Sequence, residues 1–432
     1  MRHGIAADGL LAGSQIVYGG AMNEQDTIAV VGAGVIGAAA AFALAREGRK
    51  VLLLDLAEPG MAGASFGNAG HIAQESVQPL PSVPLLFGFY RELFRFGGAL
   101  DLAPRQVLRM TPWIRRFAAA AFRRTENTRH LAPLVRQSVE AWMRCVAAMR
   151  RPELLHRHGH YEVAFGPRSH IQMQKHAQEM ARVAVKTQPI PPEQLLPLQR
   201  AARASMAAGL WFEDSANVID PLEAVRALVA AATQSGAKFQ QMKVTGLAAR
   251  GDKVEISSEA GAFIVDSALV CAGVSSAPLL APFGLRAPLQ AVRGYHVEIP
   301  GAAAHFDAPL LYTAERVVVT PMTGRLRASS FMEFTDPEAP PDARKPARLR
   351  QALRGLGYPC EPEGPSWLGS RPVLPDYLPG IGRAPGISKL FYAIGHHHIG
   401  LTLAPITAEL LADMVAQRTP RIPIAAYDLQ RF

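Results

Sequence analysis

The clearest pattern of apolar and polar positions begins just after residue 26. Thr27–Val31 is a short, β-branched run that predicts a buried strand, and a second apolar run over 51–55 predicts another. Between them an alanine-rich stretch predicts a helix over 35–47, with Gly48 after its end. Together these elements predict a strand–turn–helix–strand unit of an α/β fold.

The turn inside this unit has the spacing of a dinucleotide-binding loop. Gly32 permits a tight turn, Gly34 permits close approach of a pyrophosphate, and Gly37 lets the helix pack against the strand. The N–H groups that follow at the helix N-terminus suit a diphosphate. Asp55 ends the second strand 21 residues after Gly34, where a carboxylate accepts ribose hydroxyls. A glycine-rich turn of an unrelated α/β fold is the alternative, but the flanking elements favour dinucleotide binding.

A second loop of small residues follows directly, over 60–70. It is too polar and too rich in glycine for a core, and small side chains suit close approach to a flat ring. An ordinary surface loop has the same composition, so this loop alone indicates little.

The middle of the chain predicts a return to the same sheet. Asp220 and Pro221 begin a helix that runs to 232, and an extended segment follows over 237–244. Gly251 marks a hairpin with strands over 254–257 and 263–270. The last strand runs into Cys271, at the sheet edge where ligands of α/β sheets bind. We expect Cys271 to pack as a small buried residue, since no His or Lys lies near it in sequence.

The C-terminal region is dense in glycine and proline. A block over 367–382 precedes a predicted strand at Leu390–Ile394, and the segment from Gly395 to Thr402 then opens a helix that continues to residue 415. A glycine-flanked turn that enters a helix N-terminus is a second site for a phosphate or carbonyl group, and it could face a cofactor ring.

Composition restricts the class of protein. With 432 residues, 49% hydrophobic and 19% charged, the chain predicts a globular protein of two to three domains. No uncharged apolar run reaches 18 residues, so we expect no membrane-spanning helix. Three scattered cysteines exclude a disulfide framework and a paired-cysteine metal site, and they predict a reduced, cytoplasmic setting. Residues 1–26 read as a flexible extension.

The net charge of +9 lies in one segment. Residues 91–151 contain 13 arginines and 4 acidic residues, which accounts for the whole excess. Within it, apolar residues follow a helical stripe with arginines on other faces: Met110, Trp113, Ile114, Phe117, Ala121 and Phe122. This helix could dock on an anionic inner membrane, where a quinone could reoxidise a cofactor, or it could turn its apolar face to the core. No motif supports nucleic-acid binding.

The combined motifs resemble the FAD-dependent D-amino-acid oxidase/dehydrogenase family, and within it the bacterial D-amino acid dehydrogenase branch. The resemblance is carried by the first glycine turn with Asp55, and by 65–70, 271–273, 293–295, 367–372 with 376–382, and 395–402. It implies an α/β plus α+β architecture. A discontinuous Rossmann-like FAD-binding domain would comprise 27–80, 213–285 and 368–432, and a substrate domain on a mixed or antiparallel sheet would comprise 81–212 and 286–367.

The resemblance and the glycine turns together predict one FAD site. Its expected residues are Gly32, Gly34, Val35, Ile36, Gly37, Asp55, Ser65, Asn68, Ala69, Gly70, Val244, Cys271, Ala272, Gly273, Gly395, His397, Ile399, Gly400, Leu401 and Thr402. We expect no metal, because adjacent histidines on one turn diverge.

The implied reaction is oxidation of an α-amino acid to its imino acid, with the flavin carrying the redox step. Arg371 matches the arginine that binds the substrate carboxylate in the family; the alternative is a structural ion pair with Asp376. Tyr295 is a candidate second donor or a half-buried strand aromatic. His398, in a turn of three histidines, is a candidate acceptor for the ammonium proton.

Three functions stay open on the sequence. The first is a dehydrogenase of a small D-amino acid, of the D-proline or hydroxy-D-proline type, which passes electrons to a quinone or another acceptor. The second is an oxidase of the same fold that uses oxygen. The third is a flavin-carrying subunit of an oligomer without its own turnover.

Overall fold

The computed structural model describes residues 26–166, 168–191, 193, 198, 206–302, 304–361 and 363–432. The predicted N-terminal extension therefore lies, except for Asp26, outside the described residues. In chain order, strands β1 to β21 are Thr27–Val31, Lys50–Asp55, His71–Ile72, Leu100–Leu102, Leu155–His156, His160–Phe165, Gln188–Pro189, Met206–Phe212, Ala216–Val218, Lys238–Gln241, Val244–Arg250, Lys253–Ser258, Gly261–Val265, Ser267–Val270, Gln290–Pro300, Leu310–Tyr312, Val317–Met322, Arg325–Phe334, Ser366–Val373, Gly380–Arg383 and Leu390–Ile394.

The α-helices of the described residues alternate with these strands. In chain order, α1 to α11 are Val35–Arg46, Val83–Gly88, Pro104–Arg109, Thr111–Phe122, Arg124–Arg136, Ser138–Ala148, Ser169–Arg182, Pro221–Gln234, Ser276–Leu280, Arg344–Gly355 and Gly400–Val415. The predicted helices that begin at 35 and 221 are confirmed within two residues at each end. Asp220 caps α8 by accepting from the N–H groups of Leu222 and Glu223 at 2.8 and 3.3 Å.

A six-stranded sheet forms the first half of the molecule, in the order β10-β2-β1-β14-β21-β20. Its strands are parallel except for β20, which is antiparallel to β21. Helices α1, α8 and α11 pack together on one face, and the three-stranded sheet β11-β12-β13 covers the other. This three-layer arrangement is the predicted doubly covered α/β sheet.

The hairpin at Gly251 differs from its predicted strands. The turn joins β11 to β12, and β12 then pairs with β13. The predicted strand over 263–270 is two strands, because the chain breaks near Asp266 and β14 enters the six-stranded sheet beside β1. Asp266 accepts from the N–H of Thr27 at 2.8 Å, which fixes the start of β1.

A nine-stranded mixed sheet forms the second half. Its order is β19-β15-β18-β17-β16-β6-β8-β7, with β4 beside β18. Most pairs are antiparallel, but β16 runs parallel to β6 and β18 parallel to β4. Strand β19 crosses the predicted boundary at 367/368 and carries Arg371 on this sheet, beside β15.

The basic segment packs with its apolar stripe inward. Trp113 is buried in a cluster that contains Val292, Phe334 and Tyr377, and its ring stacks on Phe117 at 5.2 Å. The helix therefore belongs to the core of the substrate half, which favours the second interpretation given above. Phe122 is the exception, since 73% of it stays exposed.

One helix departs from the composition-based expectation about membranes. Among the described residues, His397–Val415 is long and apolar enough to cross a membrane. About two thirds of that segment, 67%, is buried inside the protein, because α11 packs against α1, α5 and α6.

Candidate active site

One cavity of about 810 Å³ opens where the parallel strands of the six-stranded sheet end. It is lined from three distant stretches of chain that follow β1, β14 and β21, and from strands β15, β18 and β19 of the mixed sheet. The carboxyl ends of parallel strands meet at one edge, where ligands of α/β sheets bind. The predicted convergence of distant segments is therefore present.

The first glycine turn is shaped by contacts that exclude side chains. Gly32 has φ +109, and a Cβ there would lie 2.4 Å from the carbonyl oxygen of Cys271. A Cβ on Gly37 would lie 1.8 Å from the carbonyl oxygen of Gly32, so the helix packs on the turn itself. The N–H of Val35 donates to Ser65 Oγ at 3.0 Å. These contacts give the predicted glycines their physical reason.

Asp55 lines the cavity, and both of its carboxylate oxygens accept a backbone hydrogen bond. Its Oδ2 accepts from the N–H of Ala33 at 2.6 Å, and its Oδ1 from the N–H of Ala57 at 3.3 Å. The carboxylate thus ties the end of β2 to the glycine turn, and each oxygen keeps a lone pair that could accept a ribose hydroxyl.

The loop over 60–70 is held from the other half of the molecule. Arg327, on β18, donates to the carbonyl oxygens of Phe66 and Asn68 at 3.1 and 2.8 Å, and Glu298 binds the rest of its guanidinium. The ring of Trp367 lies so close to Gly67 that a Cβ there would be 1.9 Å from it. The loop is therefore a fixed wall of the cavity.

Most of the predicted cofactor residues line the cavity. Those that do are Gly32, Gly34, Val35, Ile36, Asp55, Ser65, Asn68, Ala69, Val244, Cys271, Ala272, Gly273, Gly395, His397, Ile399, Gly400 and Leu401. Cys271 is buried, and burial raises the pKa of its thiol, as expected for a packing residue.

Three predicted cofactor residues do not line it. Gly37 serves helix packing, and Gly70, at φ +76, closes a turn in which its N–H donates to Asn68 Oδ1 at 2.9 Å. Thr402 Oγ1 accepts from the N–H of Ala73 at 3.0 Å and donates to the carbonyl of His71, and so fastens α11 to β3. These three residues therefore support the cavity through packing and hydrogen bonds and do not line it.

Arg371 is brought into the cavity without a protein counter-ion. One guanidinium N–H donates to the carbonyl oxygen of Phe331 at 2.9 Å, and no Asp or Glu of the described residues pairs with it. The alternative ion pair with Asp376 is excluded, because Asp376 binds Arg431 at 2.7 Å. Burial lowers the pKa of Arg371 for lack of a neighbouring negative charge.

Tyr295 does not have a free hydroxyl. The group donates to Glu333 at 2.8 Å, and it accepts from Arg293 at 3.0 Å and from the N–H of Asp342 at 3.1 Å. The residue reaches the cavity wall, but its polar atom belongs to a buried network on the far side of β15. The predicted role as a donor to substrate is therefore not supported. The hydroxyl of Tyr312, on β16, is likewise paired, with that of Tyr358 at 2.6 Å.

All three histidines of the turn line the cavity. His396 Nε2 bonds to Thr407 Oγ1 at 3.1 Å, and the Nδ1 atoms of His397 and His398 lie 3.4 Å apart. Burial, with Arg371 nearby, lowers the pKa of His398 to about 4. The ring is therefore neutral at pH 7 and can accept a proton.

Tyr377 is a site residue that the sequence analysis did not single out. Its φ is +59, an uncommon conformation for a large residue. Its ring packs on His397 at 4.9 Å, and its buried hydroxyl has no partner among the described residues. It follows Asp376 within the glycine- and proline-rich block, which was the only available signal.

These residues fit FAD on grounds of the structure itself. Gly34 leaves the N-terminus of α1 without a side-chain cap, the turn before it accepts no Cβ, and Asp55 lies one strand away. Such a cradle suits a diphosphate joined to a ribose. The small-residue loop and the turn after β21 both line the cavity and could contact a flat ring.

Comparisons of sequence agree with this geometry. A family model described as FAD dependent oxidoreductase matches residues 27–414. The chain is 30% identical over 426 residues to a D-amino-acid oxidase of Bradyrhizobium diazoefficiens, a match that covers 95% of this chain and 100% of that protein. It is 28% identical over 427 residues to a D-amino acid dehydrogenase of Cereibacter sphaeroides, covering 94% and 95%.

Comparisons of structure point to the same fold. Glycine oxidase from Geobacillus kaustophilus superposes with a TM-score of 0.74 at 21% identity, covering 94% of this chain and 100% of that one. L-proline dehydrogenase from P. horikoshii gives 0.71 at 16% identity, covering 95% and 98%. These similarities confirm the predicted fold class.

Proposed function

The chain belongs to the family of FAD-dependent oxidoreductases, and we propose that it is a dehydrogenase of a small D-amino acid. The family, the FAD cofactor and the oxidation of an amino acid agree with the prediction. The substrate, the electron acceptor and the cellular location are what we propose in addition.

The single observation that carries the proposal is Arg371. A guanidinium inside a cavity needs an anion, and the described protein supplies only the carbonyl of Phe331. The α-carboxylate of an amino acid matches the planar fork of arginine. Bound FAD supplies the two-electron chemistry that removes the hydride from Cα.

The residues around Arg371 would orient the substrate and take its proton. The free hydroxyl of Tyr377 can donate to the same carboxylate, and neutral His398 can accept the ammonium proton. Aromatic and imidazole rings pack closely there, with Tyr377 4.9 Å from His397 and 6.2 Å from His398. Closely packed rings that carry polar atoms leave room beside Arg371 for a small or cyclic amino acid, and we propose D-proline or hydroxy-D-proline.

The acceptor that we propose is a membrane quinone, and the supporting observation is a surface. Phe96, Leu108 and Phe122 are each exposed by more than 60% within the arginine-rich segment, and Phe87, just before it, is exposed by 78%. Exposed aromatic and aliphatic residues among arginines suit an anionic membrane surface. We therefore propose a cytoplasmic protein that binds peripherally to the inner membrane.

Flotation with lipid vesicles tests this location. We expect the protein to float with vesicles that contain phosphatidylglycerol and not with pure phosphatidylcholine, and Leu108→Asp to abolish flotation. Ile264→Asp is the matched control, because Ile264 is 56% exposed on β13, outside that segment. Equal flotation of both variants would contradict the proposed surface.

An oxygen-using oxidase is the second candidate, favoured by the relative that is named D-amino-acid oxidase. An anaerobic screen tests the main proposal: D-proline or hydroxy-D-proline should bleach the flavin, and L-enantiomers should not. Bleaching by large aliphatic D-amino acids alone would contradict the substrate. In air, peroxide formed as fast as substrate turns over would identify an oxidase.

A further inference from the structure

Five ionisable side chains meet behind the loop over 60–70, and the site described above does not use them. His71 Nε2 lies 3.5 Å from Glu75 Oε1, and the rings of His71 and His160 lie 4.3 Å apart. His160 Nε2 is 3.6 Å from Glu162, whose other oxygen is 3.3 Å from His176. We call this set the His–Glu cluster.

The cluster separates two cavities. His71 and Glu75 line the large cavity that also contains Arg371 and His398. Glu75 lines in addition a second cavity of about 330 Å³ with Ser215. This second cavity opens to solvent between exposed residues, namely Glu140, Met143, Arg157, Lys186 and Asp214. Glu75 is therefore a common wall of the active site and the surface cavity.

The electrostatic surroundings favour proton exchange within the cluster. Burial raises the pKa of Glu75, while burial, with His160 and His398, lowers the pKa of His71. Glu162 is different: burial opposes its ionisation, but His160 and His176 lower its pKa to about 2. Glu162 thus stays charged as a fixed counter-ion.

Polar and charged side chains from several segments surround the carboxyl group of Glu75. Ser215 Oγ donates to its second oxygen at 2.6 Å, His71 and His160 face the first, and Glu162 adds a like charge. Across the surface cavity stand Arg136, Glu140, Arg157, Lys186, Glu213 and Asp214. Those side chains line the surface cavity, where water can reach Glu75.

Resting on the proposed function, we propose that His71 and Glu75 form a proton exit from the active site to the surface cavity. Oxidation of one amino acid breaks a Cα–H bond, whose hydride goes to the flavin, and an N–H bond of the ammonium group, whose proton must leave. The proton passes from the active site to His71, then to Glu75 and to water in the surface cavity.

The decisive variant is Glu75→Gln, which keeps the size of the side chain and an oxygen for Ser215 but cannot carry a proton. Glu140→Gln is the matched control, since Glu140 lines the same surface cavity outside the cluster. Proton release is followed with phenol red while flavin absorbance is recorded in stopped flow. We expect release to slow about tenfold or more in Glu75→Gln, with FAD content unchanged and recovery on adding formate as a mobile proton carrier.

A second experiment requires no substrate. Photoreduced enzyme mixed with ferricyanide releases one proton as the flavin is reoxidised, and Glu75→Gln should again delay that proton. Wild-type release rates in Glu75→Gln would overturn the proposal, as would slow release without rescue by formate. One tightly bound metal ion per chain, measured by mass spectrometry, would also overturn it, because the imidazoles would then be ligands. Failure of every amino acid to reduce the flavin would instead refute the proposed function.

Discussion

Two arginines on neighbouring strands have opposite surroundings. Arg293 on β15 is buried and saturated: it pairs with Glu333 at 2.7 Å and donates to Tyr295 and to the carbonyl oxygens of Ala339 and Pro340. Among the described residues, Arg371, on the adjacent β19, has one carbonyl partner and no acid. Since a charge without partners is costly to bury, the first arginine is explained by the fold, and we propose that a ligand anion pairs with the second.

The saturated region extends beyond Arg293. Lys345 on α10 has no exposed surface, and its Nζ lies 2.7 to 2.8 Å from carboxylates of Glu333, Asp342 and Asp101. The three acids could have suggested a metal site, but the ammonium group already occupies their centre. The network therefore stabilises the substrate half without any part in chemistry.

The largest expected effect is on this network. Lys345→Met should lower the free energy of unfolding by about 3–5 kcal/mol, because three carboxylates lose their shared cation. The KM of protein that remains folded should not change. Urea unfolding measures the first quantity and steady-state kinetics the second. Lys243→Met, which breaks an exposed pair with Glu259, should leave stability unchanged.

Arg371→Ala should weaken substrate binding and leave the stability of the protein nearly unchanged. We expect a loss of about 2–5 kcal/mol of substrate binding and little change in unfolding. Arg371→Lys should recover part of the binding, since an ammonium group keeps the charge but loses the bidentate geometry. Flavin bleaching measures the dissociation constant. An unchanged constant in Arg371→Ala would remove the main support for the proposed function.

The comparison of these regions also shows which features could be predicted from the sequence. The glycine turn and Asp55 were predictable because their spacing is local, and Arg371 because it stands in a dense motif. The domain boundaries and the roles of the site residues stay predictions for experiment. The single strand predicted over 263–270 was wrong, since the chain breaks at Asp266, whose carboxylate accepts from the N–H of Thr27, 239 positions away.

Residues whose role depends on distant partners escaped prediction for the same reason. The sequence does not show whether the hydroxyl of Tyr295 faces the cavity or the protein interior. Its hydrogen bond to Glu333 on β18 is visible only in the structure. Tyr377 gave no periodic signal, because its position depends on a left-handed backbone. His71 directly follows the small-residue loop, and its neighbours Glu75 and His160 come from the segment after β3 and from β6.

Tyr377 at the cavity and Tyr295 in the paired network test the same contrast, with a smaller expected effect. Tyr377→Phe removes a hydroxyl without a protein partner, so we expect substrate affinity to fall by about 1.5–3 kcal/mol, the range for a hydrogen bond to a charged group. Tyr295→Phe should leave affinity unchanged and cost about 1 kcal/mol of stability. Measured KM values and urea midpoints separate the two. A KM effect in Tyr295→Phe and none in Tyr377→Phe would exchange their roles.

The smallest expected effect is the pH dependence of the saturated region. Asp342 is bound by Arg344 at 2.8 Å and by Lys345, and these cations hold the pKa of its carboxyl below the usual value. A lowered folded pKa stabilises the protein above the unfolded value, near 3.9, and that stabilisation is lost as the pH falls below it. The unfolding free energy should therefore decrease from about pH 4 downward. Arg344→Gln removes the larger cause and should flatten this slope. Arg371→Ala should not alter it, because no carboxylate in the described part of the chain pairs with Arg371. An identical slope in Arg344→Gln and the wild type would assign the acid sensitivity to other carboxyl groups.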